Sequence, residues 1–121
     1  MGTGQARAKT VTYKVELTPI ARLQLHEIKD QRIRRALADR IEDLARDPCL
    51  QGEELSHELA GFRSVRAVGQ THRIIYRLEE DVIVVVVIAL GKRKGRDRND
   101  IYEVTKRLLR AGLIDTPPMR K

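Results

Sequence analysis

Nine consecutive apolar residues decide the fold of this chain: Val82-Ile-Val-Val-Val-Val-Ile-Ala-Leu90. The run is too short for a membrane helix, which needs about 18 to 20 such residues. Because it is continuous rather than alternating, it predicts a central strand that is covered on both faces of a sheet. The preceding Glu79-Glu80-Asp81 is typical of a tight turn, so we expect the segment from Arg73 to Leu78 to pair antiparallel with it.

Two further segments extend this predicted sheet. Phe62 to Val68 is predicted as a strand just before the central pair. Near the N-terminus, Tyr13-Lys-Val-Glu-Leu17 alternates apolar and polar residues, which is typical of a strand with one buried face. The 49–61 segment between them has no regular pattern, and we expect it to be irregular.

Two helices are predicted after the first strand. Thr18-Pro19 is typical of a helix start, and the first helix is expected from Pro19 to about Lys29. The second, from about Gln31 to Arg46, has apolar residues at helical spacing and ends at Asp47-Pro48. Their short connection predicts an antiparallel hairpin that covers one face of the sheet.

A last helix follows the basic loop that begins at Gly91. Asn99 or Asp100 is expected to cap it, and it runs to Arg110 with Gly112 as its stop. The order β-α-α-β-β-β-α predicts one α+β domain, an antiparallel sheet packed against a helical hairpin, with a short C-terminal helix. We expect the domain to span residues 13–112, with loose tails at residues 1–12 and 113–121.

The charge of the chain is concentrated in its second half. The net charge is +7, and residues 62–110 hold 12 Lys and Arg against 6 Asp and Glu. Such a surface attracts polyanions. Aromatic residues are only 3%, too few for a platform that stacks bases. The single cysteine and three scattered histidines predict no disulfide, no metal site and no cofactor, and we expect a cytoplasmic protein without a membrane segment.

A set of arginines and one tyrosine is the strongest sign of chemistry. Arg66, Arg73 and Arg93 lie near matching strand ends, where they can converge, and the last helix can bring Tyr102 over them. This combination suits metal-free RNA cleavage, because arginine binds phosphate through its planar fork and keeps its charge. The attacking ribose hydroxyl also needs a base, and Tyr102 is the first candidate.

Alternatives remain open for each of these residues. The strand arginines can instead point outward and pair with acidic residues of the turn, and Tyr102 can simply pack under the last helix. His72 is the alternative base, since histidine works near neutral pH. Further contacts to RNA are expected from five other basic residues: Arg63, Lys92, Lys94, Arg96 and Arg98.

Four motifs in this order resemble the RelE/ParE superfamily of type II toxins, and its RelE-like branch in particular. They are Leu59-Ala-Gly-Phe-Arg-Ser-Val-Arg66, His72-Arg-Ile-Ile-Tyr76, Ile88-Ala-Leu-Gly-Lys-Arg93 and the final Tyr102. The chain departs from the RelE-like pattern at Ser64, where a second basic residue is common, and in a longer loop between Arg93 and Tyr102.

The resemblance implies a ribosome-dependent messenger RNA endonuclease that uses no metal and is held inactive by a cognate antitoxin. Arg66, Arg73 and Arg93 would then act at the phosphate, with Tyr102 as the base. It also implies that a toxin–antitoxin complex can bind operator DNA through the antitoxin. Two alternatives follow from the same resemblance: a ParE-like inhibitor of DNA gyrase with no enzymatic activity, and a degenerate toxin that acts only within a DNA-binding repressor complex.

Overall fold

The apolar run from Val84 onward forms strand β5, which lies inside a five-stranded sheet, whereas Val82 and Ile83, predicted as part of the strand, lie exposed in the turn before it. The computed structural model describes residues 11–115, and the strand order in its sheet is β1-β5-β4-β3-β2. Short 3-10 turns at Pro48–Leu50 and His57–Leu59 flank β2. The strands are β1 (Lys14–Leu17), β2 (Glu53–Glu54), β3 (Arg63–Ala67), β4 (His72–Glu79) and β5 (Val84–Lys92), and the helices are α1 (Pro19–His26), α2 (Gln31–Asp43) and α3 (Ile101–Arg110).

The sheet is mixed, which corrects the wholly antiparallel sheet predicted from the sequence. β2, β3, β4 and β5 pair antiparallel in chain order, but β1 pairs parallel with β5. Thr18 fixes this pairing, because its N–H donates to Val87 O at 3.0 Å and its hydroxyl donates to Ile88 O at 2.9 Å. Alternation in the sequence predicts a strand and its buried face, but it carries no information on strand direction.

Several element bounds also differ from the predicted ones. The first helix ends at His26 rather than near Lys29, and the second ends at Asp43 rather than Arg46. Strand β2 is an addition, since two consecutive glutamates show no apolar pattern and pair only because β3 lies beside them. Of the two predicted caps of the last helix, Asp100 is the one used.

The ends of the domain extend slightly beyond the predicted tail boundaries. Thr12 forms an isolated bridge with Arg46, so the chain joins the fold before residue 13. Ile114 is buried against the α3 side of the sheet, two residues into the predicted C-terminal tail. The remaining parts of both predicted tails, residues 1–10 and 116–121, lie outside the described residues.

Two apolar clusters pack on opposite faces of β5, as the continuous run predicts. Val85 and Val87 face the hairpin of α1 and α2, while Val86 and Ile88 face α3. Within residues 11–115, every helix is too short or too polar to cross a membrane. The face under α3 is the one that carries the candidate site.

Candidate functional site

A cavity of about 540 Å³ lies beside β3 and the start of α3. Its walls come from α2, the segment around β2, β3, β4, the end of β5 and α3. The lining is strongly basic, with four arginines against one carboxylate. The lining residues are Arg40, Gly52, Glu53, Leu55, Ser64, Val65, Arg66, Arg73, Arg93 and Tyr102.

Strand register brings two of the predicted arginines together. Arg66 on β3 lies directly opposite Arg73 on β4, and Arg73 lies opposite Gly91 on β5. Residues that face each other across neighbouring strands point to the same side of the sheet. The Arg73 guanidinium is anchored to the turn before β4, because it donates to Gln70 O at 2.8 Å. Both guanidinium groups therefore belong to the face under α3.

The third predicted arginine stacks on the predicted tyrosine. The guanidinium carbon of Arg93 lies 4.8 Å from the centre of the Tyr102 ring, which is a cation–π geometry. Its Nη1 donates to the Asp100 carboxylate at 2.5 Å. The Arg93 side chain nevertheless remains 38% exposed, so a phosphate can reach it.

Helix α3 is held close to the sheet, and this places Tyr102 in the wall of the cavity beside Arg93. Asp100 caps the helix by accepting from the Tyr102 N–H at 2.9 Å. A side chain at Gly91 would meet the Ile101 side chain at 3.2 Å, so glycine permits this close approach. At the other end of α3, Arg110 donates to Glu58 at 2.7 Å.

The Tyr102 hydroxyl points to β3. It lies 2.8 Å from the Ser64 hydroxyl, and Ser64 is buried. Ser64 is the residue at which the sequence departs from the RelE-like pattern. A serine here gives the phenol a hydrogen-bonding partner in place of a second cation, so the charge at this end of the cavity rests on the arginines.

Four residues of the cavity were not anticipated from the sequence: Arg40, Gly52, Glu53 and Leu55. Arg40 reaches in from α2, where its Nε donates to Arg66 O at 3.1 Å and its Nη1 donates to Gln51 Oε1 at 2.7 Å. Glu53 on β2 supplies the carboxylate. Gly52 has a φ of +65° and lies against Ser64 O. All four come from segments that approach β3 only in the tertiary fold, and no spacing in the sequence predicted this approach.

His72 and Lys92, both predicted to act in or near the site, lie elsewhere. They oppose each other on β4 and β5, one residue out of phase with Arg73 and Gly91, so they point to the face of the helical hairpin. His72 is buried and its Nδ1 lies 2.7 Å from the Thr71 hydroxyl. Burial lowers the pKa of His72, and the charge of Lys92 lowers it further.

Arg63, predicted to contact RNA, lies outside the cavity and is engaged within the fold. Its Nη2 donates to Gln51 O at 2.8 Å and Cys49 O at 3.1 Å, and its Nε donates to the Tyr76 hydroxyl at 3.4 Å. Only 14% of its side chain is exposed, and it pairs with Glu54. These contacts hold the irregular segment before β2 against the sheet.

The predicted basic loop continues from the cavity into solvent. Lys94, Arg96 and Arg98 are all exposed on the loop between β5 and α3. Arg96 has a φ of +65°, so the loop turns sharply there. Among residues 11–115, no group of three histidine, cysteine or acidic side chains is arranged to hold a metal ion.

Comparison with known proteins identifies the family. A family model described as the ParE toxin of the type II toxin-antitoxin system parDE matches residues 15–97. The chain belongs to this toxin family. The curated Toxin RelG of Mycobacterium tuberculosis is 32% identical over 90 residues, which cover 74% of this chain and 95% of that toxin.

Solved structures of the RelE/ParE superfamily share the fold. The RelBE2 toxin–antitoxin complex from Mycobacterium tuberculosis contains a chain that is 36% identical, with a TM-score of 0.62 over 69% of this chain and 93% of that one. The isolated E. coli RelE toxin is 18% identical, with a TM-score of 0.59 over 80% of this chain and 99% of that one. The superfamily and the α+β fold predicted from the sequence are thereby confirmed.

Proposed function

We propose that this toxin is a metal-independent, ribosome-dependent endonuclease of messenger RNA. The observation that carries the proposal is the cavity that Arg66, Arg73 and Arg93 line together with Tyr102. A pocket of fixed cations suits a reaction whose transition state gathers negative charge on a phosphate. Because the arginines supply this charge stabilisation, the chemistry does not require a metal ion.

The proposed reaction is an internal transfer within the RNA backbone. The ribose 2′-oxygen forms a bond to the adjacent phosphorus, and the bond between phosphorus and the 5′-oxygen of the next nucleotide breaks. A base on the toxin takes the 2′-hydroxyl proton, and the leaving 5′-oxygen takes a proton from a water molecule. The products are a 2′,3′-cyclic phosphate and a 5′-hydroxyl, and Arg73 and Arg66 neutralise the phosphate oxygens throughout.

Tyr102 is the proposed base, because its hydroxyl lines the cavity and Arg93 lies over its ring. Glu53 is the second candidate, since it is the carboxylate of the cavity. His72, the alternative predicted from the sequence, points to the opposite face of the sheet and would need a rearrangement to reach RNA bound at the arginines.

The proposed partners follow from the family and from the charge. The RelBE2 structure is a complex of a toxin with its antitoxin. We propose that a cognate antitoxin likewise inactivates this chain by bringing acidic side chains to the arginine cavity, and that the complex binds operator DNA through the antitoxin. The exposed Lys94, Arg96 and Arg98 are proposed to contact the ribosome, which would place the activity in the cytoplasm.

The decisive experiment uses purified toxin, free of antitoxin, in a cell-free translation system. Message ends are mapped by primer extension with and without ribosomes. We expect new ends only when ribosomes are present. Arg73→Ala and Tyr102→Phe should abolish or greatly slow cutting, whereas Arg32→Ala, which removes an exposed arginine of α2 far from the cavity, should cut like the wild type.

Inhibition of DNA gyrase is the second candidate function, and the match to a ParE toxin model favours retaining it. A parallel supercoiling assay with purified gyrase separates the two. Intact message together with loss of supercoiling would replace the endonuclease by the gyrase inhibitor. If Tyr102→Phe cuts normally while Glu53→Gln does not, the endonuclease stands and the base is Glu53.

A further inference from the structure

Asp100 is a buried carboxylate with no part in the proposed bond-making steps. Only 2% of its side chain is exposed. It nevertheless accepts three hydrogen bonds: Arg93 Nη1 at 2.5 Å and the Lys94 N–H at 2.5 Å reach Oδ1, and the Tyr102 N–H reaches Oδ2 at 2.9 Å. Few acidic side chains are buried to this degree unless they are fully paired.

The three donors keep this carboxylate charged. Burial by itself would raise the pKa of Asp100, but the hydrogen bonds from Arg93, the Lys94 N–H and the Tyr102 N–H outweigh burial and lower it. Asp100 also lies at the N-terminus of α3, where a negative charge is favourable. Its charge is therefore a stable feature of the fold at neutral pH.

The donors come from two different elements. Arg93 and Lys94 follow directly after β5, whereas Tyr102 belongs to the first turn of α3. Asp100 thus links the two ends of the basic loop, because it binds residues at the end of β5 and at the start of α3. The exposed part of the loop can then vary in length and conformation without moving the two side chains that line the cavity.

The contact also determines where the Arg93 guanidinium lies. Among the described residues, Asp100 is its single side-chain hydrogen-bonding partner, and it occupies Nη1. The remaining N–H groups are left for a phosphate, because the ring of Tyr102 covers one face of the guanidinium and offers no acceptor in its plane. Without Asp100, a side chain as long as arginine would sample several rotamers.

We propose that Asp100 is the positioning residue of this site, in which one carboxylate holds the Arg93 guanidinium and the helix that carries Tyr102 in a fixed relation. The inference rests on the proposed endonuclease, for which that relation matters. Asp100 itself touches neither the RNA nor the transferred proton. Its effect on the reaction is transmitted through Arg93 and Tyr102.

The test compares two helix-capping aspartates: Asp100, which is buried and paired with Arg93, and Asp30, which is exposed. Asp30 caps α2 by accepting from the Arg32 N–H at 2.9 Å, but no arginine side chain within residues 11–115 pairs with it. Asparagine is also a good N-cap, and Asp30→Asn keeps its cap because Oδ1 alone accepts both capping bonds there. Both oxygens of Asp100 are acceptors, so Asp100→Asn removes the charge and also places an amide NH2 against either the Tyr102 N–H or the Arg93 and Lys94 donors. Asp100→Asn should lower kcat for ribosome-bound message by about 10- to 100-fold, as loss of an outer-shell partner typically does, with KM little changed. Asp30→Asn should leave both constants unchanged.

A double-mutant cycle shows whether Asp100 acts through Arg93. In an Arg93→Ala background, Asp100→Asn should cause less further loss than it does alone, because one of the two groups that it positions is gone. Equal losses in the two backgrounds would overturn the inference, as would wild-type cutting by Asp100→Asn.

A measurement independent of cutting separates this inference from the proposed function. In NMR spectra of the toxin labelled with nitrogen-15 arginine, the guanidinium of Arg93 should show slowed rotation because it is bound to Asp100. The Asp100→Asn variant should abolish this slowing. Unchanged Arg93 signals would refute the positioning role, whatever the toxin does to RNA. If the wild type does not cut ribosome-bound message but the Arg93 signals change, the proposed endonuclease fails and Asp100 keeps only a structural role.

Discussion

Replacement of Gly52 by alanine tests the close approach that forms the β2 wall of the cavity. Gly52 has a φ of +65°, and a Cβ atom there would lie 2.3 Å from Ser64 O and 3.3 Å from the Tyr76 hydroxyl. A contact of 2.3 Å with a backbone atom cannot be relieved by rotating a side chain. The segment before β2 would have to move away from β3, and the pairing of β2 with β3 would weaken.

A matched control separates the stability that Gly52→Ala loses into two parts. Gly69, in the turn between β3 and β4, has a nearly identical φ of +64°, but a Cβ there would meet nothing within 4 Å. Gly69→Ala should therefore lose only the cost of the left-handed conformation, about 1 kcal/mol of the free energy of unfolding. Gly52→Ala adds the overlap, about 1 to 3 kcal/mol, and should lose about 2 to 4 kcal/mol in total.

Equilibrium urea unfolding, followed by circular dichroism, measures the difference. With a slope of about 2 kcal/mol per molar urea, the midpoint of Gly52→Ala should lie about 0.5 to 1.5 M below that of Gly69→Ala. Equal midpoints would show that Gly52 is needed only for its backbone angle, and that β2 does not depend on a close contact with β3. A changed slope would signal a loss of two-state unfolding, in which case hydrogen exchange at Ser64 reads out the same contact directly.

Three further predictions concern the site and the fold around it. Arg73→Ala should lower the rate of message cleavage by about 10²- to 10³-fold, the usual loss for one donor to a developing oxyanion, and an unchanged urea midpoint should show that the fold is intact. Tyr76→Phe should cost about 1 to 3 kcal/mol of stability in the same titration, because its buried hydroxyl donates to Pro48 O and Gln51 O at 2.9 Å and both acceptors would lose this donor. The pKa of His72 is below its ordinary value of 6.5, so the unfolded chain binds this proton more readily than the folded one. The free energy of unfolding should therefore fall as the pH drops through and below 6.5. Thermal melts of His72→Gln should lack this pH dependence, and identical pH profiles for the variant and the wild type would contradict the prediction.

The central strand and the helix signals were predictable because each depends on local chemistry. An apolar run on both faces can be buried only inside a layered fold, so the residues from Val84 to Leu90 predicted two covering layers, and both are present. Thr18 and Asp100 each cap the helix that follows, which is a property of a few adjacent residues.

The sequence predicted that a group of basic residues forms the site, but the tertiary structure decided which of these residues line the cavity. Strand residues alternate between faces, so a difference of one position separates Arg73 from His72. The sequence shows both as neighbours in one basic segment. The register of β4 against its partners, set by burial of the apolar positions, assigns Arg73 to the cavity and His72 to the core of the other face.

The sequence by itself determined the three helices and four of the five strands, and which half of the chain carries the positive charge, because propensity, capping and charge are properties of neighbouring residues. Only the tertiary structure decided that β1 runs parallel to β5, that Arg40 and Glu53 join the cavity, and that Asp100 links Arg93 to Tyr102. Each of these results depends on contacts between elements far apart in the chain or across a loop. Such contacts are selected by the packing of the whole core, which no short stretch of sequence specifies.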